Sequence, residues 1–231
     1  MKALMCVPNI SEGTDLAVVE KVVDTIRSAP GVMLLDYSSN ADHNRSVITY
    51  IGTPEAVVAA SKSLTKAALE LIDMRRQKGS HPRQGAVDVV PFIPIRGISE
   101  EEAVSIARNF GRYVGEALDV PVYFYEDAAT RPERQSLAKV RVGQYEALAE
   151  KIQKPEWAPD AGPAKFVPQS GSIQVSSRFP LVAFNVNLGT TNLEIAESIA
   201  KSVRHINGGF RYVRAIGLEL TDEGMVQVSM N

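Results

Sequence analysis

The spacing of apolar residues along this chain switches repeatedly between two and about 3.6, and that alternation restricts it to layered strands and helices. Residues 2–8 are a short apolar run and read as a strand. Leu16, Val19, Val22, Val23 and Ile26 recur at helical spacing over residues 14–28, with Thr14 as the candidate cap and Gly31 as the stop. Val32–Tyr37 and Ser46–Ile51 are β-rich runs joined by a polar turn. Thr53-Pro54 opens a long helix with Val57, Ala60, Leu64, Ala67, Ala68 and Leu71 on one side. Val87–Ile95 is a further strand, and Pro91 and Pro94 predict that it lies at an edge or ends early. Ser99-Glu100-Glu101-Glu102 is a capping box. It starts a helix with Ala103, Ile106, Phe110 and Val114 facing inward. Val120–Glu126 reads as a strand, and residues from the 130s to about 152 as helix in two pieces broken at Gly143.

Residues 154–172 differ in character. Four prolines and two glycines (Pro155, Pro159, Pro163, Pro168, Gly162 and Gly171) predict a long structured loop, which is uncommon unless it is functional. A second alternation follows: strand 180–188, helix 192–206 with Thr191-Asn192-Leu193-Glu194 as capping box, strand 210–220, a turn at 222–224 and strand 225–230. Residues 2–95 thus read βαββαβ and residues 180–231 read βαββ. The expected class is α/β of the α+β type, with two βαββαβ-like subdomains, 1–178 and 179–231, the second incomplete. A sequence that stops on a strand is expected to leave an exposed sheet edge.

Charge excludes some functions. Lys+Arg 25 against Asp+Glu 27 leaves a net charge of −2, so no global field favours nucleic acid or an anionic membrane. Any anion site must be built locally. Cys6 is the only cysteine, which rules out an intramolecular disulfide and suits a reducing compartment. The short apolar start and the lack of a spanning run make cytoplasm the expected location.

In Leu181–Leu188, Asn185 and Asn187 share one strand face while Val182, Phe184, Val186 and Leu188 share the other. Gln227, Ser229 and Asn231 alternate in the same way with Val226, Val228 and Met230. A sheet with one wet face explains this. So does a polar cleft wall, because asparagine is disfavoured in strands; Asn9, after the first strand, would join that wall.

Three histidines are present. His81 stands in Lys78-Gly79-Ser80-His81-Pro82-Arg83-Gln84-Gly85, where the following proline keeps it extended. A histidine fixed in a loop can titrate near neutral pH and act as general base; an exposed loop histidine has the same spacing. Arg75, Arg76, Lys78 and Arg83 surround it, as helix-end cations or as a carboxylate holder. His43, Asn44 and Arg45 form a second polar group beside Asp42, with His43 also readable as a turn residue. His205 reads as structural. No metal is expected, because paired cysteines, a His-x-x-x-His pair and an acidic cluster around a histidine are missing. Phosphate-loop and dinucleotide fingerprints are missing too.

With these residues in view, the chain resembles the formiminotransferase family. The carrying motifs run in order from end to end: Cys6-Val7-Pro8-Asn9-Ile10-Ser11-Glu12-Gly13, Asp42-His43-Asn44-Arg45, His81-Pro82-Arg83-Gln84-Gly85-Ala86-Val87-Asp88-Val89 with Pro91-Phe92-Ile93-Pro94, Trp157-Ala158-Pro159-Asp160-Ala161-Gly162-Pro163, Ala183-Phe184-Asn185-Val186-Asn187-Leu188 and Gln227-Val228-Ser229. The resemblance implies two formiminotransferase subdomains with facing sheets and outer helices, a homodimer, and transfer of a formimino group from N-formiminoglutamate to tetrahydrofolate in histidine degradation and one-carbon metabolism. It implies small-molecule substrates, with tetrahydrofolate as co-substrate. His81 falls on the catalytic histidine. Gly162, Pro163, Ala164, Lys165, Phe166, Val167, Pro168, Gln169, Ser170 and Gly171 fall on the folate-binding segment, where relatives often differ at 170. Relatives also continue beyond Asn231.

The expected substrate-binding residues are Asn9, Asp42, His43, Arg45, Arg83, Asn185 and Asn187. Of these, Arg45, Arg83 and His43 are candidates to hold carboxylates. The expected mechanism has folate N5 attack the amidine carbon while His81 accepts the N5 proton and returns one to the departing glutamate nitrogen. Asp36 or Asp42 is expected to fix the His81 tautomer. Two alternatives share the site: formyl exchange between 5-formyltetrahydrofolate and glutamate, and folate binding without turnover.

Overall fold

The computed structural model describes residues 2–180, 182–221 and 223–231. It divides into two units, Met1–Phe179 and Pro180–Asn231. No helix among the described residues is long and apolar enough to cross a membrane.

In the first unit the chain runs β1 (Ala3–Cys6), β2 (Asn9–Ile10), α1 (Leu16–Arg27), β3 (Val32–Asn40), β4 (Arg45–Gly52), α2 (Pro54–Leu71), β5 (Val87–Arg96), α3 (Glu100–Ala117), β6 (Val122–Glu126), α4 (Leu137–Val140), α5 (Gln144–Lys151) and β7 (Ile173–Ser177). β1 and β2 are one strand interrupted at Val7-Pro8, since both pair antiparallel with β4 on one side and β5 on the other. β3 extends the sheet beyond β4, and β7 and then β6 extend it beyond β5 in parallel.

Alternation gives the sheet two unlike faces. Leu4, Cys6, Ile48, Tyr50, Val90, Phe92, Val122, Phe124, Ile173 and Val175 join the apolar sides of α1, α2 and α3 in the main core. Asn9, Arg45, Gln174 and Ser176 take the opposite parity along their strands. At the β6 end of that second face, Tyr123, Tyr125 and Val89 pack with Val140 and Leu148 of α4 and α5.

Three expectations are corrected. β5 is central, not an edge. Pro91 sits opposite the break between β1 and β2, and Pro94 beside a register shift against β1, where a missing N–H costs little. The cap of α1 is Asp15, whose Oδ1 accepts from Ala17 N at 3.0 Å and Val18 N at 3.2 Å. β7 was missing from the sequence reading, because Ile-Gln-Val-Ser-Ser carries too few apolar residues to announce a buried strand.

The second unit contains β8 (Phe184–Leu188), α6 (Leu193–Val203), β9 (Ala215–Leu220) and β10 (Met225–Met230), with β10 between β8 and β9. Ala196 and Ala200 of α6 close on Ala215, Val226 and Val228. Strand β8 begins at Phe184, later than the expected residue 180. Asn192, not Thr191, caps α6 by accepting from Glu194 N at 3.0 Å. Leu181, and Asp222 of the expected turn, lie outside the described residues.

Candidate active site around His81

His81 lies in the connection from α2 to β5. Three loops hold that connection by polar contacts. Ser80 N and Ser80 Oγ both donate to Asp42 O at 3.0 Å. Gln77 Nε2 donates to Glu12 Oε2 at 2.9 Å, while Asn44 Nδ2 donates to Gln77 Oε1 at 2.5 Å. Met74 N donates to Gln169 O at 2.9 Å.

The imidazole Nδ1 is 2.8 Å from the carbonyl oxygen of Pro82. A carbonyl only accepts, so Nδ1 carries the proton and Nε2 keeps the lone pair. The sequence reading expected Asp36 or Asp42 to fix the tautomer; the carbonyl of the residue after the histidine does so instead. Burial and then the nearby Arg45 guanidinium push the His81 pKa down to about 4, with Arg141 adding to the effect and the Pro82 carbonyl and Asp88 opposing it. The ring is therefore neutral at pH 7, but for a reason that differs from the near-neutral titration expected. His43 faces it, the ring centroids 5.7 Å apart.

Behind the ring lies a buried ionic group. Arg45 Nη1 is 2.8 Å and Arg141 Nη1 2.9 Å from the same Asp88 Oδ2. Asp88 is fully buried; its burial opposes ionisation, yet Arg45, Arg141 and the Gln84 N–H hold its carboxyl below the usual range. Two guanidiniums on one carboxylate leave one positive charge in excess. Asn9 steadies Arg45, accepting from its Nε at 3.0 Å while donating to Val7 O at 2.9 Å.

Arg83 does not join that group. Its Nη2 donates to Glu146 Oε1 at 2.7 Å and to Gln77 O at 2.9 Å, so its carboxylate partner here is the protein's own. Asp42 contributes its backbone carbonyl. The sequence reading missed Asp88, Arg141, Glu12 and Gln77. Asp88 did carry a signal, since a lone carboxylate inside the apolar run Ala86–Phe92 requires a buried cation.

The 162–171 segment ends against the same place. Gly85 and Gly171 form an antiparallel bridge, and Ala86 N donates to Ser170 O at 2.9 Å. Phe166 stacks at an angle on Tyr145, centroids 5.4 Å apart, and Tyr145 Oη donates to Pro168 O at 2.6 Å. Lys165 is exposed, 3.0 Å from Asp119. In the second unit, Asn185 lies opposite Ser229 and Asn187 opposite Gln227, so the two polar stripes form one wet face. Gln227 Nε2 donates to Asn187 Oδ1 at 2.7 Å. A groove of about 270 Å³ between α2 and α3 includes none of these residues in its lining.

A neutral histidine whose Nε2 has no partner among the described residues, beside a net-positive group on buried Asp88, is the equipment of an acid–base enzyme for anionic substrates. Comparison makes the class specific. Residues 3–178 match the formiminotransferase domain, N-terminal subdomain. The chain is 50% identical over 230 residues to glutamate formimidoyltransferase of Streptococcus pyogenes serotype M1, covering all of this chain and 77% of that protein. It is 44% identical over 233 residues to the Thermoplasma acidophilum protein of the same name, again covering 77% of it. With formimidoyltransferase-cyclodeaminase of Gallus gallus it shares 46% identity over 236 residues, 43% of that longer protein. The chain belongs to the formiminotransferase family.

Proposed function

We propose that this protein transfers a formimino group from N-formimino-L-glutamate to tetrahydrofolate, yielding 5-formiminotetrahydrofolate and glutamate. The observation that carries this reading is His81, held as a neutral base whose Nε2 has no partner among the described residues, beside the positively charged Arg45–Asp88–Arg141 group. The group offers a field for the carboxylates of a glutamate-derived donor. His81 Nε2 takes the proton of the attacking nitrogen as the new carbon–nitrogen bond forms. The resulting imidazolium returns a proton to the glutamate nitrogen as the old bond breaks, so one residue serves both halves.

Several features support a folate co-substrate at residues 162–171. The Phe166–Tyr145 pair offers an aromatic surface, and Lys165 a cation, for a conjugated ring system bearing carboxylates. The segment is tied to the residues just after His81 through the Gly85–Gly171 bridge. Arg83, Asp42, His43 and Asn9 are further proposed substrate-binding residues of the first unit; Asn185 and Asn187 on β8 are proposed as substrate-binding from the family resemblance. A homodimer in the cytoplasm, working in histidine degradation and one-carbon metabolism, completes the proposal.

The test is formimino transfer measured beside a His81→Ala control, with 5-formyltetrahydrofolate and glutamate as a second substrate pair. Transfer should fall by on the order of 10²–10⁴ in the variant. Near-normal turnover without His81 sinks the assignment, and formyl exchange without formimino transfer redirects it.

A further inference from the structure

Arg141, the residue that caps α4, reaches the histidine loop from the β6 end of the sheet. Both hydrogen bonds of the Arg141 guanidinium leave from Nη1: one to Pro82 O at 3.0 Å, the other to Asp88 Oδ2 at 2.9 Å. Pro82 O is the same oxygen that holds His81 Nδ1. Arg141 Nε is buried and without a partner among the described residues, so Nη1 alone places the guanidinium. The backbone beside it is also restrained. Lys151 Nζ donates to Val140 O at 2.7 Å and to Val142 O at 2.9 Å, the carbonyls on either side of Arg141. The Lys151 ammonium in turn lies 3.6 Å from the centroid of the Trp157 ring.

We infer that Arg141 is a positioning residue for His81, one that anchors the Pro82 carbonyl to buried Asp88 and so fixes the imidazole's tautomer and direction, while Lys151 holds Arg141 in place. The inference rests on the reading of His81 as the base. A carbonyl that already receives an arginine N–H is pinned, and the imidazole N–H that shares it is pinned too. The same guanidinium adds positive charge beside the ring. The charged and titratable groups around His81 are then Arg45 from β4, Asp88 from β5, Arg141 after α4, and His43 from the β3–β4 turn.

The experiment is an NMR titration of the His81 ring in the full chain, without substrate, alongside steady-state kinetics. Resonances of His43 and His205 are assigned with His43→Gln and His205→Gln spectra. In Arg141→Gln the His81 midpoint should rise slightly from about 4, because burial and Arg45 depress it more than Arg141 does. Its kcat should fall on the order of 10²-fold with little change in KM, as misplacement of a catalytic group does. Arg141→Lys keeps the charge and loses the planar reach, so its midpoint should stay low while kcat falls. Lys151→Met should move both readouts in the direction of Arg141→Gln, by less. A folded Arg141→Gln protein with an unmoved midpoint and unchanged kcat overturns the inference. If that variant does not fold, an Arg141→Lys protein with wild-type kcat does so. The titration needs no turnover, so it reads the link between Arg141 and the His81 ring even if formimino transfer is not the reaction.

Discussion

Gln77 Nε2 donates to Glu12 Oε2 at 2.9 Å, and this bond joins the histidine loop to the start of α1. The other oxygen of Glu12 accepts from Gly13 N at 3.0 Å, Thr14 N at 2.9 Å, Thr14 Oγ1 at 2.8 Å and Asp15 N at 2.8 Å. Burial works against the Glu12 charge, but the Asp15 and Thr14 donors outweigh it and hold the carboxyl below its ordinary value. Glu12→Ala should cost about 3 kcal/mol, because several donors lose their acceptor at once. Chemical denaturation measures this, and a loss below about 0.5 kcal/mol contradicts the role.

The ionic group behind His81 makes a second prediction. Asp88→Asn leaves buried Arg45 and half-buried Arg141 together without their shared counter-charge. Breaking a buried pair on one side costs about 3–5 kcal/mol. The Tm should fall accordingly, and the His81 midpoint should move further down, since Asp88 now opposes the depression. A stable variant with normal donor affinity shows that the group does not depend on Asp88.

The depressed His81 pKa also has a sign in stability. The folded protein releases the His81 proton above about 4, the unfolded chain above about 6.5. Between those values the unfolded chain binds more protons, so stability falls as pH drops from 6.5 toward 4. Denaturant midpoints at pH 7 and pH 4.5 should therefore differ more in the wild type than in His81→Asn. Substrate carboxylates near Arg45 and Arg141 cancel part of the field on the ring. The acid limb of kcat should then lie at higher pH than that of kcat/KM. Coincident limbs count against docking of carboxylates at that group.

Gly171 offers a fourth test. Its φ is +67°, and a Cβ there would meet Gln84 O at 2.0 Å. Gly171→Ala must break the bridge to Gly85 or strain the backbone, at a cost of about 1–3 kcal/mol. Because the segment adjoins the His81 loop, tetrahydrofolate affinity should weaken along with stability. Unchanged affinity in a destabilised variant would separate the segment from folate.

Much of the fold was legible locally. α1, α2, α3 and the break at Gly143 follow from apolar spacing and caps, and Thr53 and Ser99 do accept from the N–H groups that a capping pattern promises, at 3.3 Å from Ala56 and 3.2 Å from Glu102. β5 was misplaced because a proline's cost depends on its neighbours, and the break opposite Pro91 is made by another strand. β7 was missed because its burial comes from lying between β5 and β6, which its own Gln174 and Ser176 conceal.

The site divides in the same way. His81 and Arg45 stand out in the sequence as residue types at suggestive spacings, and the family resemblance marks the 162–171 segment. Sequence by itself thus determined the alternation of strands and helices, the one well-framed histidine and the motifs of the family. Only the tertiary structure decided how those groups behave. A pKa, a tautomer and an ion pair depend on which charges and carbonyls lie within a few ångströms, and Arg141 comes to His81 from sixty residues away because α4 and α5 pack on one end of the sheet.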